Sequence, residues 1–238
     1  PSASNGSAFG YVPGQGYTTA TTLTSGSGYW VNGEAGTASA QGTEINQLSL
    51  DVEAGWNLIG GASCAVPRNA LGGTATLAAT PIYAYGANGG YTSSTELVQG
   101  AGHWVNVAGA GTLILDCANA TGLVATATTK TRSPGDAVDG FGRLTIRGPE
   151  GRSQVLHYGG TLNSAEARAL YLLPPPAPAG FDARFEGGTS LLEGGTGTVQ
   201  LLGQARPLRV SLDAVPGGET GVQVTVEERA NGQVVQTH

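Results

Sequence analysis

The 238 residues exceed the usual length of one domain, and 39% hydrophobic content is enough for folded cores, so two or three domains are expected. With 40 glycines, no methionine and only 12% charged residues, a helix-dominated fold is excluded, because Gly is costly in helix interiors and favours strands joined by tight turns. A net charge of −6 with scattered arginines argues against nucleic acid or an anionic membrane as partner, and no apolar run approaches the roughly 18 residues that span a bilayer. The expected class is all-β: two tandem Gly/Thr-rich β modules followed by a β-sandwich-like C-terminal domain.

Residues 1–46 and 47–118 read as two copies of one module. Tyr11, Gly16, Tyr17, Leu23, Gly26, Gly28 and Trp30 recur as Tyr85, Gly90, Tyr91, Leu97, Gly100, Gly102 and Trp104, each at an offset of 85 − 11 = 74 positions without insertion. Trp56 completes the expected repeat core. The second copy opens with segments 48–52 and 55–60, read as a strand pair. A strand at 82–85, a turn at 86–90 around Asn88-Gly89, a strand from Tyr91, a Gly turn at 100–102 and strands at 103–107 and 112–116 follow. Counting 74 back from Trp56 falls before residue 1, so the first repeat is expected to lack an opening strand. Its open edge would be filled by a rearranged N-terminal segment, a C-terminal strand of the same chain or a strand of a neighbouring molecule.

Cys64 and Cys117, the only cysteines, are 117 − 64 = 53 positions apart. Two readings stand: a disulfide, as in an oxidising compartment, or two buried thiols. A bridge over that loop would stabilise the fold by roughly 4 kcal/mol in the chain-entropy model. No CxxC and no nearby His complete a zinc set.

Residues 119–140 read as a linker or edge segment, Thr-rich over 121–131 with a turn at 133–136. The domain expected at 141–238 starts with a hairpin, 144–147 and 154–158 around a polar loop at 148–151. Asn163 and Glu166 have capping-box spacing for one short helix. Pro174-Pro175-Pro176 and Pro178 read as a stiff connector rather than a ligand for another domain. Strands are expected at 181–185, 198–202, 208–212, 221–227 and 233–237. Val222, Val224 and Val226 alternate with polar residues and, with Val234 and Val235, mark a candidate assembly strand.

The inventory for chemistry is thin. His103 stands where the first repeat has Tyr29, His157 lies in an alternating strand and His238 ends the chain. Neither a nucleophile elbow, a metalloprotease helix, a phosphate loop nor a dinucleotide fingerprint is present. Asp136 and Asp139 lack calcium-loop spacing and read as a solvated turn. Glu150, Glu166, Glu186 and Glu193 fall in expected loops without aromatic platforms for a sugar. No catalytic, metal or cofactor-binding residue is assigned, and the expectation is a non-enzyme without cofactor.

The segment AGWNLIG, followed by YAYGANGGYTSSTELVQGAGHWVN, resembles the GWNL…GYWV β modules near the C-terminal ends of large secreted bacterial proteins exported by the type IX route. The stretch LTIRGPEGRSQVLHYGG…YLLPPPAPAGFDARF is similar to the β region preceding the sorting domain of such proteins. The resemblance implies an extracellular or cell-surface location. The start at Pro1 rather than Met fits removal of an export signal, or a cloned fragment. The function expected is a structural subunit of a surface filament or multimer that joins copies of itself by strand complementation, without nucleic acid or a membrane span. The alternative is an accessory module of a larger secreted protein that touches cell-surface components or carbohydrate through Tyr17, Tyr29, Tyr91 or Trp104.

Overall fold

The computed structural model describes residues 8–31, 42–86, 90–122, 138–148, 151–178, 180–194, 196–202, 207–213, 227–230 and 233–237. The fold is all-β, with two short helices among the described residues.

The first repeat folds as β1 (Ala8–Val12), β2 (Gly16–Ala20) and β3 (Trp30–Val31), in the order β2-β1-β3. The β1–β2 hairpin sets Tyr11 opposite Tyr17. In the second repeat, β4 (Gln47–Val52) and β5 (Gly55–Gly60) precede the short β6 (Val66–Pro67), a 3₁₀ turn at Arg68–Ala70, β7 (Gly72–Gly73) and β8 (Thr76–Leu77). Then come β9 (Ile82–Tyr85), β10 (Tyr91–Ser94), β11 (Glu96–Leu97), β12 (Gly102–Gly109) and β13 (Gly111–Asp116). Strands β1, β2 and β3 thus sit at the 74-residue offset from β9, β10 and β12.

The predicted pairing of 48–52 with 55–60 does not occur. β4 pairs with β13 in one sheet, while β5 pairs with β12 in another that runs β10-β9-β12-β5. The chain switches sheets at Glu53–Gly55, and Asn57 holds that corner: its amide donates to the carbonyls of Glu53 (2.8 Å) and Gly55 (3.0 Å), and its Oδ1 accepts from Glu53 N–H (3.1 Å). Between the sheets lies a core that includes Val52, Ile59, Ile82, Leu97, Val105, Val107, Leu113 and Leu115. Cys64 and Cys117 form a disulfide against it, with Cα atoms 5.9 Å apart.

Among the described residues, the edge of the first repeat meets the second repeat: Gly28 N–H donates to Leu58 O (3.1 Å) and Gly60 N–H to Gly26 O (2.9 Å). β5 therefore serves both copies, β12 on one edge and residues 26–28 on the other. A Cβ on Gly28 would lie 2.9 Å from Ile59 O, so only glycine permits this approach. Gly26 and its counterpart Gly100 both hold positive φ, 87° and 76°.

Residues 119–122 are not linker; they finish the short helix α1 (Cys117–Gly122). The C-terminal unit starts before residue 141, since Val138 is already buried beside Phe141 and Tyr171. Its first sheet contains β14 (Gly142–Arg147) and β15 (Ser153–Gly160), the predicted hairpin. The helix α2 (Ala165–Ala169) is capped by Ser164, whose hydroxyl accepts from Ala167 N–H (3.1 Å), and not by Asn163 as the spacing suggests. β16 (Asp182–Phe185), β17 (Leu191–Glu193), β18 (Val199–Leu202) and β19 (Arg209–Asp213) follow. The order β17-β15-β14-β19 faces the pair β16-β18 across a core of Leu144, Ile146, Leu156, Tyr158, Phe181, Ala183 and Phe185. β20 (Glu227–Ala230) and β21 (Gln233–Thr237) pair antiparallel. Val222, Val224 and Val226 lie outside the described residues; Val234 and Val235 are in β21.

Candidate functional site

Among the described residues two places present chemistry, and the larger is aromatic. Each repeat contributes a Tyr-Tyr-Trp set, and the sets interlock reciprocally. Tyr11 meets Trp104 at 4.7 Å between ring centroids, and Tyr85 meets Trp30 at 4.6 Å. Within each copy, Tyr11–Tyr17 and Tyr85–Tyr91 lie at 5.3 and 5.4 Å. Across copies, Tyr17–Trp104 and Trp30–Tyr91 lie at 6.3 and 6.4 Å. All six are edge-to-face, each worth about 0.5–1.5 kcal/mol beyond burial. The interface is isologous, like that of a twofold dimer, although it lies within one chain. Trp56 and Tyr83 extend it, 6.5 Å from Trp104 and 5.9 Å from Trp56 respectively.

The proline run is seated in this cluster, which corrects its reading as a mere connector. Leu173 packs among the rings and Pro174 is buried. The equivalent hydroxyls of Tyr17 and Tyr91 both donate to the carbonyl of Pro175, at 3.4 and 2.5 Å. Nearby, Tyr83 donates to Leu170 O (3.0 Å) and Tyr85 to Phe181 O (2.9 Å). Proline carries no N–H, so a proline run offers carbonyls that need donors from elsewhere, and tyrosines supply them. Burial pushes the Tyr17, Tyr83 and Tyr91 hydroxyls well above their usual range, which keeps them protonated donors at neutral pH.

From the sandwich side Arg184 donates to Pro174 O (2.5 Å), and its Cζ lies 5.8 Å from the centroid of the Tyr91 ring. Its Nε donates to Asp182 Oδ1 (3.0 Å) and its Nη2 to Oδ2. Both side chains are buried, so each charge depends on the other.

The second place is the outer edge of β19. Val210 pairs with Ile146 and Leu212 with Leu144, so these residues share the core face of the sheet. Ile146 and Leu144 are buried, yet Val210 and Leu212 are 41% and 38% exposed. On the opposing pair, Leu201 of β18 is opposite the buried Ala183 and is 40% exposed. β19 ends its sheet, and no strand among the described residues pairs with its free edge.

Of the residues named for the repeat core, Tyr91 and Trp104 are buried with Tyr11, Tyr17, Trp30, Trp56 and Tyr85 packed against them, while Leu97 is buried in the separate core with Val66 and Val105. Leu23 is 42% exposed, whereas its repeat partner Leu97 pairs with Val66 of β6; among the described residues no strand pairs with Leu23. His103 is buried and its Nε2 accepts from Val98 N–H (3.3 Å), a packing role. Asp139 is exposed in a turn, and Asp136, Glu150 and His238 lie outside the described residues. Glu193 accepts from Leu162 N–H (2.6 Å) and pairs with Arg168, tying β17 to α2.

Among the described residues no three His, Cys, Asp or Glu side chains gather as a metal would require, and no helix is long and apolar enough to cross a membrane. Sequence reasoning missed Tyr83, Asp182 and Arg184. The alternation of Asp182 with Arg184 on one strand face was the available signal. Searches of family models, curated proteins and solved structures find no match to this chain.

Proposed function

We propose that the chain is a non-catalytic structural subunit of an extracellular or cell-surface assembly, joined to copies of itself by strand addition at the free edge of β19. The observation that carries this reading is the exposure of Val210 and Leu212 on the core face of an edge strand. An apolar face at an unpaired edge is a template for an incoming strand. The segment 221–227 supplies suitable chemistry, since Val222, Val224 and Val226 alternate with polar residues and give one apolar face. The occupant proposed is that segment from a neighbouring copy. Secretion rests on the resemblance to type IX cargo.

The accessory reading, with sugar stacked on aromatic rings, has less support, because Tyr91 and Trp104 are buried in the core. Sedimentation velocity and electron microscopy of the full chain test the proposal. Regular multimers are expected, and a Val210→Asp/Leu212→Asp variant with an unchanged circular dichroism spectrum should remain monomeric. A wild-type chain that stays monomeric at every concentration would overturn it.

A further inference from the structure

The repeats and the sandwich meet through a proline segment, and the chemistry of that meeting is general. A proline run is held extended, donates nothing and presents flat ring faces and outward carbonyls. Grooves of aromatic side chains with donors at their tips are suited to bind it. Here Tyr17 and Tyr91, one from each repeat, aim their hydroxyls at a single carbonyl. The rings of Tyr11, Trp30, Tyr85 and Trp104 support them.

We propose that this groove is a receptor for proline-rich peptide whose resident ligand is the chain's own segment 173–176, which bends at Pro175, so that the join between repeats and sandwich is a latch. The grip is short. Pro174 is buried and Pro175 half-buried, whereas Pro176 and Pro178 are exposed. Covalent attachment makes so short a grip effective, since a tethered ligand acts at an effective concentration on the order of millimolar. A free peptide of the same chemistry competes for the same donors. The inference stands apart from strand addition at β19, which uses the other side of the sandwich core.

The test uses the full chain carrying Leu173→Lys and Pro174→Lys, whose charges cannot be buried among the rings beside Arg184 and so vacate the groove, and a fluorescein-labelled Leu-Pro-Pro-Pro-Ala-Pro peptide followed by anisotropy. Saturable binding of one peptide per chain is expected. Binding to the unaltered chain should be at least about tenfold weaker, because its groove is filled. Adding Tyr17→Phe and Tyr91→Phe to the vacated chain should weaken binding by about tenfold, the worth of the lost hydrogen bonds. No saturable binding to a folded vacated chain overturns the proposal, as does equal binding of Leu-Ser-Ser-Ser-Ala-Ser.

Should the vacated chain not fold, hydrogen exchange of the Tyr17→Phe/Tyr91→Phe chain decides. Faster exchange at 170–181 with β12 and β13 unchanged is expected, and unaltered exchange there overturns the latch. A concentration-dependent dimer abolished by those two substitutions would assign the bound run to a neighbouring copy and overturn the resident assignment.

Discussion

The two repeats share one aromatic grammar and differ in their cover. Tyr11, Tyr17 and Trp30 reproduce the ring spacings of Tyr85, Tyr91 and Trp104, yet Trp104 is 1% exposed and Trp30 only half-buried. Leu97 is fully buried while Leu23 faces solvent. The repeated residues therefore encode a mutual interface more than a self-sufficient domain. What surrounds each copy decides which of its positions become core. The second copy has β4, β13 and a disulfide at its back; in the first, the described strands are β1, β2 and β3.

The sharpest way to break this comparison is to truncate the paired tryptophans. Trp104→Ala should cost about 3–5 kcal/mol in denaturant unfolding, and Trp30→Ala clearly less. Next come the leucines: Leu97→Ala should cost about 2–4 kcal/mol, and Leu23→Ala no more than about 0.5 kcal/mol. Equal losses within either pair would mean that the copies are equivalently covered, contrary to the structure. Smaller again is the hydroxyl pair, where Tyr91→Phe, losing the 2.5 Å bond, should cost about 1 kcal/mol and Tyr17→Phe, losing the 3.4 Å bond, only a few tenths.

The smallest effect expected lies in the pH profile. Burial holds His103 below its ordinary 6.5, and His157 likewise, burial first and Arg143 second. A folded value below the unfolded one means that their contribution is complete above pH 6.5 and is lost as pH falls from there toward the folded value. Tyr17 and Tyr91 are raised above 10.0, so their contribution is complete below pH 10 and is lost as pH rises beyond it. Thermal melts should show a plateau between these limits. Because the first repeat has Tyr29 where the second has His103, His103→Gln should soften the acid limb and leave the alkaline limb alone.

Much of the architecture was legible because it is local. The 74-residue offset located β1, β2 and β3 against β9, β10 and β12, and strand and turn patterns located β14, β15, β16, β18 and β19 to within a few residues, whereas the three-residue β17 falls where a loop around Glu193 was expected. Two things were not local. The sheet switch at Glu53–Gly55 depends on Asn57 bonding back to the corner, which no periodicity signals, so adjacent strands were read as a pair. The seat of the proline run joins Tyr17 and Tyr91 to Pro175, 158 and 84 positions away, and distances of that order leave no mark on a short window. Ser164 rather than Asn163 as cap shows the same limit at small scale, since two capping residues in succession are equivalent by composition and only the backbone chooses.

β5 has a neighbour from each copy, β12 on one side and the Gly26–Gly28 backbone on the other. Pulling either copy away strips hydrogen bonds from the same strand, so the two copies do not melt as beads on a string. They form one cooperative block, and a lesion in either is felt by both.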